Sequence, residues 1–263
     1  MSLLQEICAN RAKQVEEKKA FYPIALLEKS AYFKAETVSL NTYLNRSDKS
    51  GIIAEFKRKS PSKGIINAYA DVKDTTISCM QGGASALSVL TEPTYFDGKD
   101  EDLTEARKAN YCPILRKDFI VDEYQILEAR SIGADAILLI AATLDKLQLQ
   151  QYHSTARELG LEVLIEVHSE EELEQLPASD FILGVNNRNL KTMEVNLQTS
   201  IDLASKLDNS LTLISESGLH GPEDILRLRE HGYKGFLIGE AFMRSAHPGR
   251  ELARFVQELR AAE

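Results

Sequence analysis

A repeated transition from glycine to a short apolar run most limits what this chain can fold into. Four stretches show it clearly: GGASALSVL (82–90), GADAILLI (133–140), GLEVLIEV (160–167) and GYKGFLIG (232–239). Each follows a polar, helix-like segment. Glycine adopts the left-handed conformation that ends many helices, and an apolar run without polar alternation is typical of a strand buried on both faces. The pattern predicts alternating helices and parallel strands.

Four further apolar runs bring the number of predicted strands to eight: Ile52–Lys57, Pro113–Lys117, Phe181–Asn186 and Leu211–Ser215. Helices are predicted near Asp71–Met80, Asp100–Ala109, Asp122–Ser131, Leu144–Leu159, Ser169–Gln175, Leu197–Leu207, Pro222–His231 and Gly249–Ala261. Asp122 is the predicted cap of its helix. Eight such repeats in 263 residues favour a single α/β domain, a closed (β/α)8 TIM barrel.

The alternative fold is an open doubly wound sheet, which typically carries a GxGxxG sequence after its first strand. No such sequence follows Ile52–Lys57, so the closed barrel is preferred. Residues 1–47 precede the first strand. We predict that they form an N-terminal helical extension packed on a barrel of residues 48–263, as one domain overall.

Charge and composition exclude several functions. The net charge of −9 argues against a general nucleic-acid binder, which needs a basic face. The N-terminal stretch MSLLQEICANRAKQVEEKKA mixes both charge signs and has no long apolar core, so neither a signal peptide nor a membrane span is predicted. We expect a cytoplasmic monomer without nucleic-acid or membrane partners.

Cysteine and histidine spacing predicts neither a metal site nor a disulfide framework. Cys8, Cys79 and Cys112 lie far apart and lack CxxC spacing, which fits a reduced compartment. The histidines show no HxxxH or HxH spacing. We expect solvated or capping roles for all five of them, which are His153, His168, His220, His231 and His247.

Two opposite charges interrupt the first predicted strand, in IIAEFKRKSPSKG (52–64). Side chains alternate along a strand, so Ile53, Glu55 and Lys57 share one face. Both charges fall at the carboxyl end of the strand, where barrel active sites are built. A buried structural ion pair is the simpler explanation for this strand taken alone.

The same pattern recurs on other strands. Lys117 is in phase with Leu115, Glu166 with Leu164, and Asn186 and Arg188 with Gly184, while Ser215 and Ser217 are in phase with Leu213. Each polar residue also has a local explanation, such as a solvated strand end, a helix start or a turn. Their recurrence at several strand ends favours one shared site. Lysines, carboxylates and an asparagine form a set suited to proton transfer.

Two glycine-containing loops predict an anion site. SESGL (215–219) follows the seventh predicted strand and IGEAF (238–242) follows the eighth. Gly218 and Gly239 allow the backbone to approach a ligand closely and to present N–H donors. Loops in these positions of a barrel often bind phosphate. Glu240 is an objection because its carboxylate would repel a phosphate, unless only its backbone N–H is used.

With these residues in place, the chain resembles the indole-3-glycerol phosphate synthases, barrel enzymes of tryptophan biosynthesis. The resemblance runs from about Gly51 to Arg244, with a similar extension before it. It rests on IIAEFKRKSPSKG, PILRKDF, LIEVH, GVNNRNL, ISESGL and FLIGEAFM, of which the first is the most specific. It implies a (β/α)8 fold without metal or organic cofactor. The implied substrate is 1-(2-carboxyphenylamino)-1-deoxyribulose 5-phosphate, whose indole ring is closed with loss of carbon dioxide and water.

The resemblance also implies roles for individual residues. Lys117 resembles the general acid that protonates the ribulose carbonyl oxygen, and Glu166 resembles a carboxylate of the later dehydration, with Lys57 as its partner. Glu55 would hold Lys57 charged. Implied catalytic residues are Glu55, Lys57, Lys117, Glu166, Asn186 and Ser217; implied substrate-binding residues are Ser60, Phe96, Phe119, Arg188, Gly218, Gly239 and Glu240.

Several choices among these roles stay open. Which of Lys57 and Glu166 moves a given proton is one, and whether Lys57 or Arg188 binds the substrate carboxylate is another. Phe96 and Phe119 are walls for the anthranilate ring or packing residues. Glu240 departs from relatives that have a small residue such as serine there, which affects the side-chain contact to phosphate.

Two other functions remain as alternatives. One is another sugar-phosphate barrel enzyme, such as phosphoribosylanthranilate isomerase, which needs a catalytic cysteine near the end of the first strand; IIAEFKRKS has none. The other is a non-catalytic barrel that binds a sugar phosphate. Such a barrel has no need of Lys117 and Glu166, so their presence favours an enzyme.

Overall fold

Eight parallel strands form a closed barrel in this computed structural model, which describes residues 2–189, 192–207 and 210–263. Each strand pairs with the next along the chain, and the last pairs with the first, with Ile53 opposite Leu237. The strands are β1 Ile52–Phe56, β2 Ala86–Leu90, β3 Ile114–Lys117, β4 Ala136–Ile140, β5 Glu162–Val167, β6 Ile182–Asn186, β7 Leu213–Glu216 and β8 Tyr233–Ile238. The predicted (β/α)8 fold is confirmed.

Helices connect the strands and surround the barrel. They are α1 Leu3–Phe21, α2 Ile24–Leu27, α3 Leu40–Asn45, α4 Val72–Gln81, α5 Pro93–Phe96, α6 Asp100–Ala109, α7 Tyr124–Ile132, α8 Lys146–Glu158, α9 Gln198–Ala204, α10 Pro222–Glu230, α11 Glu240–Met243 and α12 Pro248–Ala262. Short 3-10 helices span Ala141–Thr143 and Glu171–Gln175, and Lys59–Ser60 pairs with Gly64–Ile65 in a small hairpin after β1. Across the described ranges, no helix is long and apolar enough to cross a membrane.

The predicted start and stop signals act at several helix ends. Gly133 has a φ of 95° and ends α7, and Gly83, the second glycine of GGAS, has a φ of 103° after α4. The Asp122 carboxylate accepts a hydrogen bond from the backbone N–H of Tyr124 at 2.8 Å, although the N-cap position of α7 is Glu123, one residue later than predicted. The two glycines therefore end α4 and α7 shortly before the next strands begin.

Alternation along the strands divides the core into two layers. Ile53, Leu115 and Leu164 face the barrel interior, whereas Ile52, Ile137 and Ile165 face the surrounding helices. Both layers are buried, which explains why the strands are apolar without polar alternation. The interior phase continues to the carboxyl ends of the strands, and there the polar residues begin.

Three helices precede β1. Leu40 and Leu44 of α3 pack into the interior layer and close the barrel at the amino ends of its strands. Helix α1 lies over the opposite end, where Leu4 and Ile7 line the cavity described below. The assignment of residues 1–47 as an extension and 48–263 as the barrel stays a prediction, and Met1 lies outside the described residues.

A buried ion network joins β3 to its surroundings. The Arg116 side chain faces the helix layer and is fully buried. Its guanidinium pairs with Glu128 at 2.5 Å, Asp100 at 2.9 Å and Asp118 at 3.2 Å. Asp118 in turn pairs with Arg11 of α1 at 2.6 Å. The network therefore ties α1, α6 and α7 to the strand that carries Lys117.

Candidate active site

A cavity of about 510 Å³ opens at the carboxyl ends of the barrel strands. Charged residues line its floor, aromatic and aliphatic residues line one wall, and loops after β1, β7 and β8 surround its mouth. All of the predicted catalytic and binding residues lie in its wall: Glu55, Lys57, Ser60, Phe96, Lys117, Phe119, Glu166, Asn186, Arg188, Ser217, Gly218, Gly239 and Glu240. The structure thus brings the whole predicted set together.

The two charges of the first strand form an ion pair at the cavity floor. Lys57 Nζ donates to Glu55 Oε1 at 2.5 Å, and the Glu55 side chain is 5% exposed. Gly239, at the end of β8, lies directly against this carboxylate. A Cβ at position 239 would be 2.7 Å from Glu55 Oε1 and 2.9 Å from Glu55 Cβ. Gly239 is therefore needed for space, since its φ of −123° is open to any residue.

We expect Gly239→Ala to lower kcat strongly while the barrel stays folded. The added methyl group must displace Glu55, and with it Lys57, because the contact distances lie below normal packing limits. Overpacking of this kind costs roughly 1–3 kcal/mol. Turnover assays beside urea unfolding would check this. Unchanged kcat and KM would contradict the role of Gly239 as the space that Glu55 requires.

Lys117 lies between two carboxylates deep in the barrel. Its Nζ is 3.0 Å from Glu166 Oε2 and 3.2 Å from Glu216 Oε2. Burial lowers the pKa of Lys117, but Glu166 and Glu216 outweigh burial and hold this pKa well above its usual range. Burial also opposes ionisation of Glu166, yet Lys117 and His168 hold its pKa well below the usual value. The pair is therefore an ammonium beside a carboxylate.

Glu216 was missed in the sequence because the phase of β7 was assigned wrongly. Ile214 and Glu216 face the interior, whereas Leu213 and Ser215 face the helices. The Ser215 hydroxyl lies 2.9 Å from that of Ser200 on α9, outside the barrel. Both phases of LISE offer an aliphatic residue followed by a polar one, and a buried serine costs less than a buried glutamate. Ser217 still lines the cavity because it follows the strand in a left-handed conformation, with a φ of 68°.

The Glu216 carboxyl group lies buried in the site, where its ionisation is unfavourable. Burial raises its pKa to about 7, Glu166 adds to this effect, and Lys117 opposes it. Among the described residues, its Oε1 is a buried atom without a hydrogen-bond partner. Gly184 on β6 makes room for it, since a Cβ there would lie 2.7 Å from this oxygen. Glu216 is therefore held in a space made for it, with Oε2 against Lys117 Nζ and Oε1 buried beside Gly184.

We expect Glu216→Gln to raise the free energy of unfolding at pH 8 by on the order of 1–3 kcal/mol. The folded pKa of Glu216, about 7, lies above its ordinary value of 4.5. Glu216 therefore destabilises the fold increasingly as pH rises through this window, and glutamine removes that penalty. Urea unfolding at pH 8 and pH 5 would check it. An equal gain at both values would contradict the assigned titration.

The anion side of the cavity is formed by three loops. Gly218 has a φ of 77° and follows β7, Gly239 follows β8, and Ser60 lies buried in the hairpin after β1. Lys63 and Arg244 also line this side. Glu240 contacts both cations, since it pairs with Arg244 and lies 3.9 Å from Lys63 Nζ. Its charge is thus neutralised within the chain, which weakens the objection that it would repel a phosphate.

The residues after β6 hold the opposite side of the mouth. Asn186 Oδ1 accepts the backbone N–H of Arg188 at 3.0 Å, and Arg188 Nη1 donates to the Met193 carbonyl at 3.2 Å. Arg188 also forms a single antiparallel bridge with Val195. Leu190, the last residue of the GVNNRNL motif, lies outside the described residues. The Arg188 side chain is therefore directed along the cavity rim.

Aromatic and aliphatic side chains form the apolar wall. The Phe96 and Phe119 rings have centroids 5.9 Å apart and are tilted by 37°. Leu4 and Ile7 of α1 lie in the same cavity wall. This wall gives a flat aromatic ring an apolar surface to pack against, beside the charged floor of the cavity.

His168 contradicts the expectation that every histidine is solvated or capping. It follows β5, its side chain is 10% exposed, and its Nε2 lies 3.2 Å from Glu166 Oε1. The pattern LIEVH carries a signal that was not used, since residue 168 is two positions beyond Glu166 and continues its face.

In the described part of the chain, no group of histidine, cysteine, aspartate and glutamate residues is arranged to hold a metal ion.

The sequence matches the family model for indole-3-glycerol phosphate synthase over residues 4–256. The chain belongs to this family. An indole-3-glycerol phosphate synthase of Bacteroides thetaiotaomicron is 44% identical over 257 residues, which cover 98% of this chain and 98% of that protein. One from Bordetella pertussis is 47% identical over 209 residues, which cover 79% and 80%.

Solved structures with low sequence identity support the fold alone. A chain of the Pyrococcus furiosus tryptophan synthase complex superposes with a TM-score of 0.60 at 13% identity, covering 81% of this chain and 99% of that chain. The tryptophan synthase subunit alpha of Legionella pneumophila gives 0.59 at 14% identity, covering 84% and 97%. The family assignment therefore rests on the sequence matches.

Proposed function

We propose that the protein is a carboxy-lyase of tryptophan biosynthesis. It closes the indole ring of 1-(2-carboxyphenylamino)-1-deoxyribulose 5-phosphate and releases carbon dioxide and water. The observation that carries this proposal is Lys117 Nζ, a buried ammonium within 3.2 Å of two carboxylates at the floor of the cavity. A protonated lysine in such a place is suited to general acid catalysis.

Ring closure starts at the ribulose carbonyl. Lys117 donates its proton to the carbonyl oxygen, which makes the carbonyl carbon electrophilic. The aromatic carbon that bears the carboxylate then forms the new carbon–carbon bond. Loss of carbon dioxide returns the electron pair of the broken bond to the ring, and restores its aromaticity. Glu216, whose Oε2 lies 3.2 Å from Lys117 Nζ, is the residue that we add to the predicted catalytic set.

Dehydration completes the indole. The hydroxyl formed from the carbonyl oxygen leaves as water after protonation, and the neighbouring carbon loses a proton. Glu166 is suited to accept that proton, and Lys57 is suited to donate one to the leaving hydroxyl. Glu55, within 2.5 Å of Lys57 Nζ, holds this ammonium in place. Asn186 and Ser217 complete the polar lining.

Binding groups are distributed around these residues. The loops at Gly218 and Gly239, with Ser60, are suited to the substrate phosphate through backbone N–H groups and a hydroxyl. The anthranilate ring fits against Phe96 and Phe119, and Arg188 offers its planar fork to the substrate carboxylate. The reaction as written needs no metal and no organic cofactor.

The chemistry of the cavity argues against a phosphoribosylanthranilate isomerase. That reaction needs a cysteine near the end of β1. Cys79 and Cys112 are buried away from the cavity and Cys8 lies on α1, and none of the three lines the cavity. A non-catalytic sugar-phosphate binder would gain nothing from the cost of burying Lys117, Glu166 and Glu216 together.

A direct assay tests the proposal. Incubation with the carboxyphenylamino-deoxyribulose phosphate is expected to produce indole fluorescence together with one carbon dioxide per substrate. Size-exclusion chromatography would test the predicted monomer in the same preparation. Absence of indoleglycerol phosphate at high enzyme concentration would reject the proposed function.

A further inference from the structure

The His168 side chain lies between two carboxylates at the edge of the site. Its Nε2 is 3.2 Å from Glu166 Oε1, and its Nδ1 is 3.6 Å from Glu172 Oε2. Neither ring nitrogen has a hydrogen-bond partner of good geometry among the described residues, and the two contacts are ion pairs when the ring is protonated. The backbone N–H of His168 also donates to Glu172 Oε2 at 2.8 Å. The ring is therefore fixed between β5 and the 3-10 helix Glu171–Gln175.

The two oxygens of Glu166 have different cationic neighbours. Oε2 accepts from Lys117 Nζ at 3.0 Å, and Oε1 faces His168. Glu166 can rotate about its last side-chain torsion only by losing one of these contacts. When His168 is protonated, a cation on each oxygen fixes both the orientation and the ionisation of this carboxylate.

We propose that His168 is a positioning residue, an imidazolium that fixes Glu166 Oε1 and keeps Glu166 ionised for proton transfer. The inference rests on the proposed function, since Glu166 has a proton to accept only if the synthase reaction takes place here. His168 acts through Glu166 and is not part of the cavity wall around the substrate.

The charges of the buried cluster support a cationic His168. Glu55 and Glu166 face the two ammonium groups of Lys57 and Lys117, and Glu216 becomes a third carboxylate as pH rises through its pKa of about 7. An imidazolium provides a third positive charge. Burial lowers the pKa of His168, but Glu166 and Glu172 outweigh burial and raise it to about 10.

The charged groups nearest the His168 ring are mostly acidic. Glu166 of β5 and Glu172 of the 3-10 helix face the ring directly, and Lys117 of β3 lies on the far oxygen of Glu166. Cys8 of α1 and Glu194 border the same second cavity as His168. The acidic groups nearest the ring therefore favour its protonated form.

This second cavity gives solvent access to His168. It has a volume of about 710 Å³ and is also lined by Thr143, Ser169 and Asn196. Asn186 borders both this cavity and the one above Lys117. A small molecule such as imidazole can therefore enter the space that a truncated His168 side chain would leave.

An NMR titration tests the ion pair without any turnover. The His168 imidazole is expected to stay protonated at pH 8 in the parent protein, above the ordinary histidine value of about 6.5. In Glu166→Gln its midpoint should fall towards that ordinary value. A parent midpoint near 6.5, or the same midpoint in both proteins, would overturn the proposal.

Kinetics test the positioning role. His168→Gln and His168→Ala are each expected to lower kcat about ten- to a hundredfold with KM nearly unchanged, as misplaced catalytic groups do. Added imidazole should restore most of the loss in His168→Ala. His231→Gln, at an exposed residue, is the matched control and should leave kcat unchanged. Normal kcat in both His168 variants, or a loss in His168→Ala that imidazole does not reduce, overturns the positioning role.

The two proposals fail in different ways. An inactive parent protein rejects the proposed function, and the positioning role with it, while the NMR titration still decides whether the ion pair exists. An active parent with unaffected His168 variants rejects the positioning role alone.

Discussion

Lys117→Ala is expected to lower kcat by about a hundred- to ten-thousandfold, the usual contribution of a general acid. The variant loses the ammonium between Glu166 and Glu216 that we propose protonates the ribulose carbonyl oxygen. The phosphate loops lie on the other side of the cavity mouth and keep their backbone geometry. Turnover measured by indole fluorescence, beside inorganic phosphate binding measured by calorimetry, would check both parts.

Removal of Lys117 also changes the charge balance of the floor. Glu166 and Glu216 lose a shared cation, so one of them is expected to take up a proton near neutral pH. Lys117→Met tests whether volume matters, since it keeps the length of the side chain without the charge. Lys108→Ala is the control, because Lys108 is exposed and, among the residues that the structure describes, pairs with Glu105 alone. Near-normal turnover in both Lys117 variants would show that another group is the acid.

Arg116→Leu is expected to lower the free energy of unfolding by about 3–5 kcal/mol, the cost of breaking a buried ion pair on one side. The Arg116 guanidinium is fully buried and also donates to the Gln125 carbonyl at 2.8 Å and to Thr91 Oγ1 at 3.0 Å. Leucine would leave Asp100, Asp118 and Glu128 facing one another with less compensating charge. Urea unfolding followed by far-ultraviolet circular dichroism would measure the loss.

A surface arginine provides the comparison for Arg116. Arg254 pairs with Glu251 and Glu258, but its side chain is 67% exposed. Arg254→Leu should therefore change stability little. Arg116→Lys should fall between the two, since it keeps the charge and loses the planar fork. Equal losses for Arg116→Leu and Arg254→Leu would contradict a stabilising role of the buried network.

Much of this architecture was predictable because the strands carry a strong repeated signal. Eight glycine-bounded or charge-bounded apolar runs leave few folds open, and alternation from Ile53, Leu115 and Leu164 leads directly to the charged residues of the floor. The predicted site residues follow from one rule, that barrel active sites are built at the carboxyl ends of the strands.

The failures occur where a local pattern supports two interpretations. In LISE both faces of β7 offer an aliphatic and a polar residue, and only packing against β6 and α9 decides that Glu216 faces inward. His168 was missed because its partner Glu172 comes from the following 3-10 helix. Short helices such as α2 and α3 were not predicted, because their stability comes from packing against the barrel rather than from their own sequence.

The spaces left by Gly184 and Gly239 have a consequence for how this chain can change in evolution. Each glycine lies against a carboxylate from a neighbouring strand, Glu216 for one and Glu55 for the other. Alanine at position 184 meets chiefly the Glu216 carboxylate, with Leu164 Cδ1 next at 3.0 Å. Alanine at position 239 also meets Glu55 Cβ at 2.9 Å, an atom that a shortened side chain keeps. Gly184 and Glu216 therefore form an epistatic pair, and a scan of double substitutions should find Gly184→Ala better tolerated, for folding, once Glu216 has been shortened.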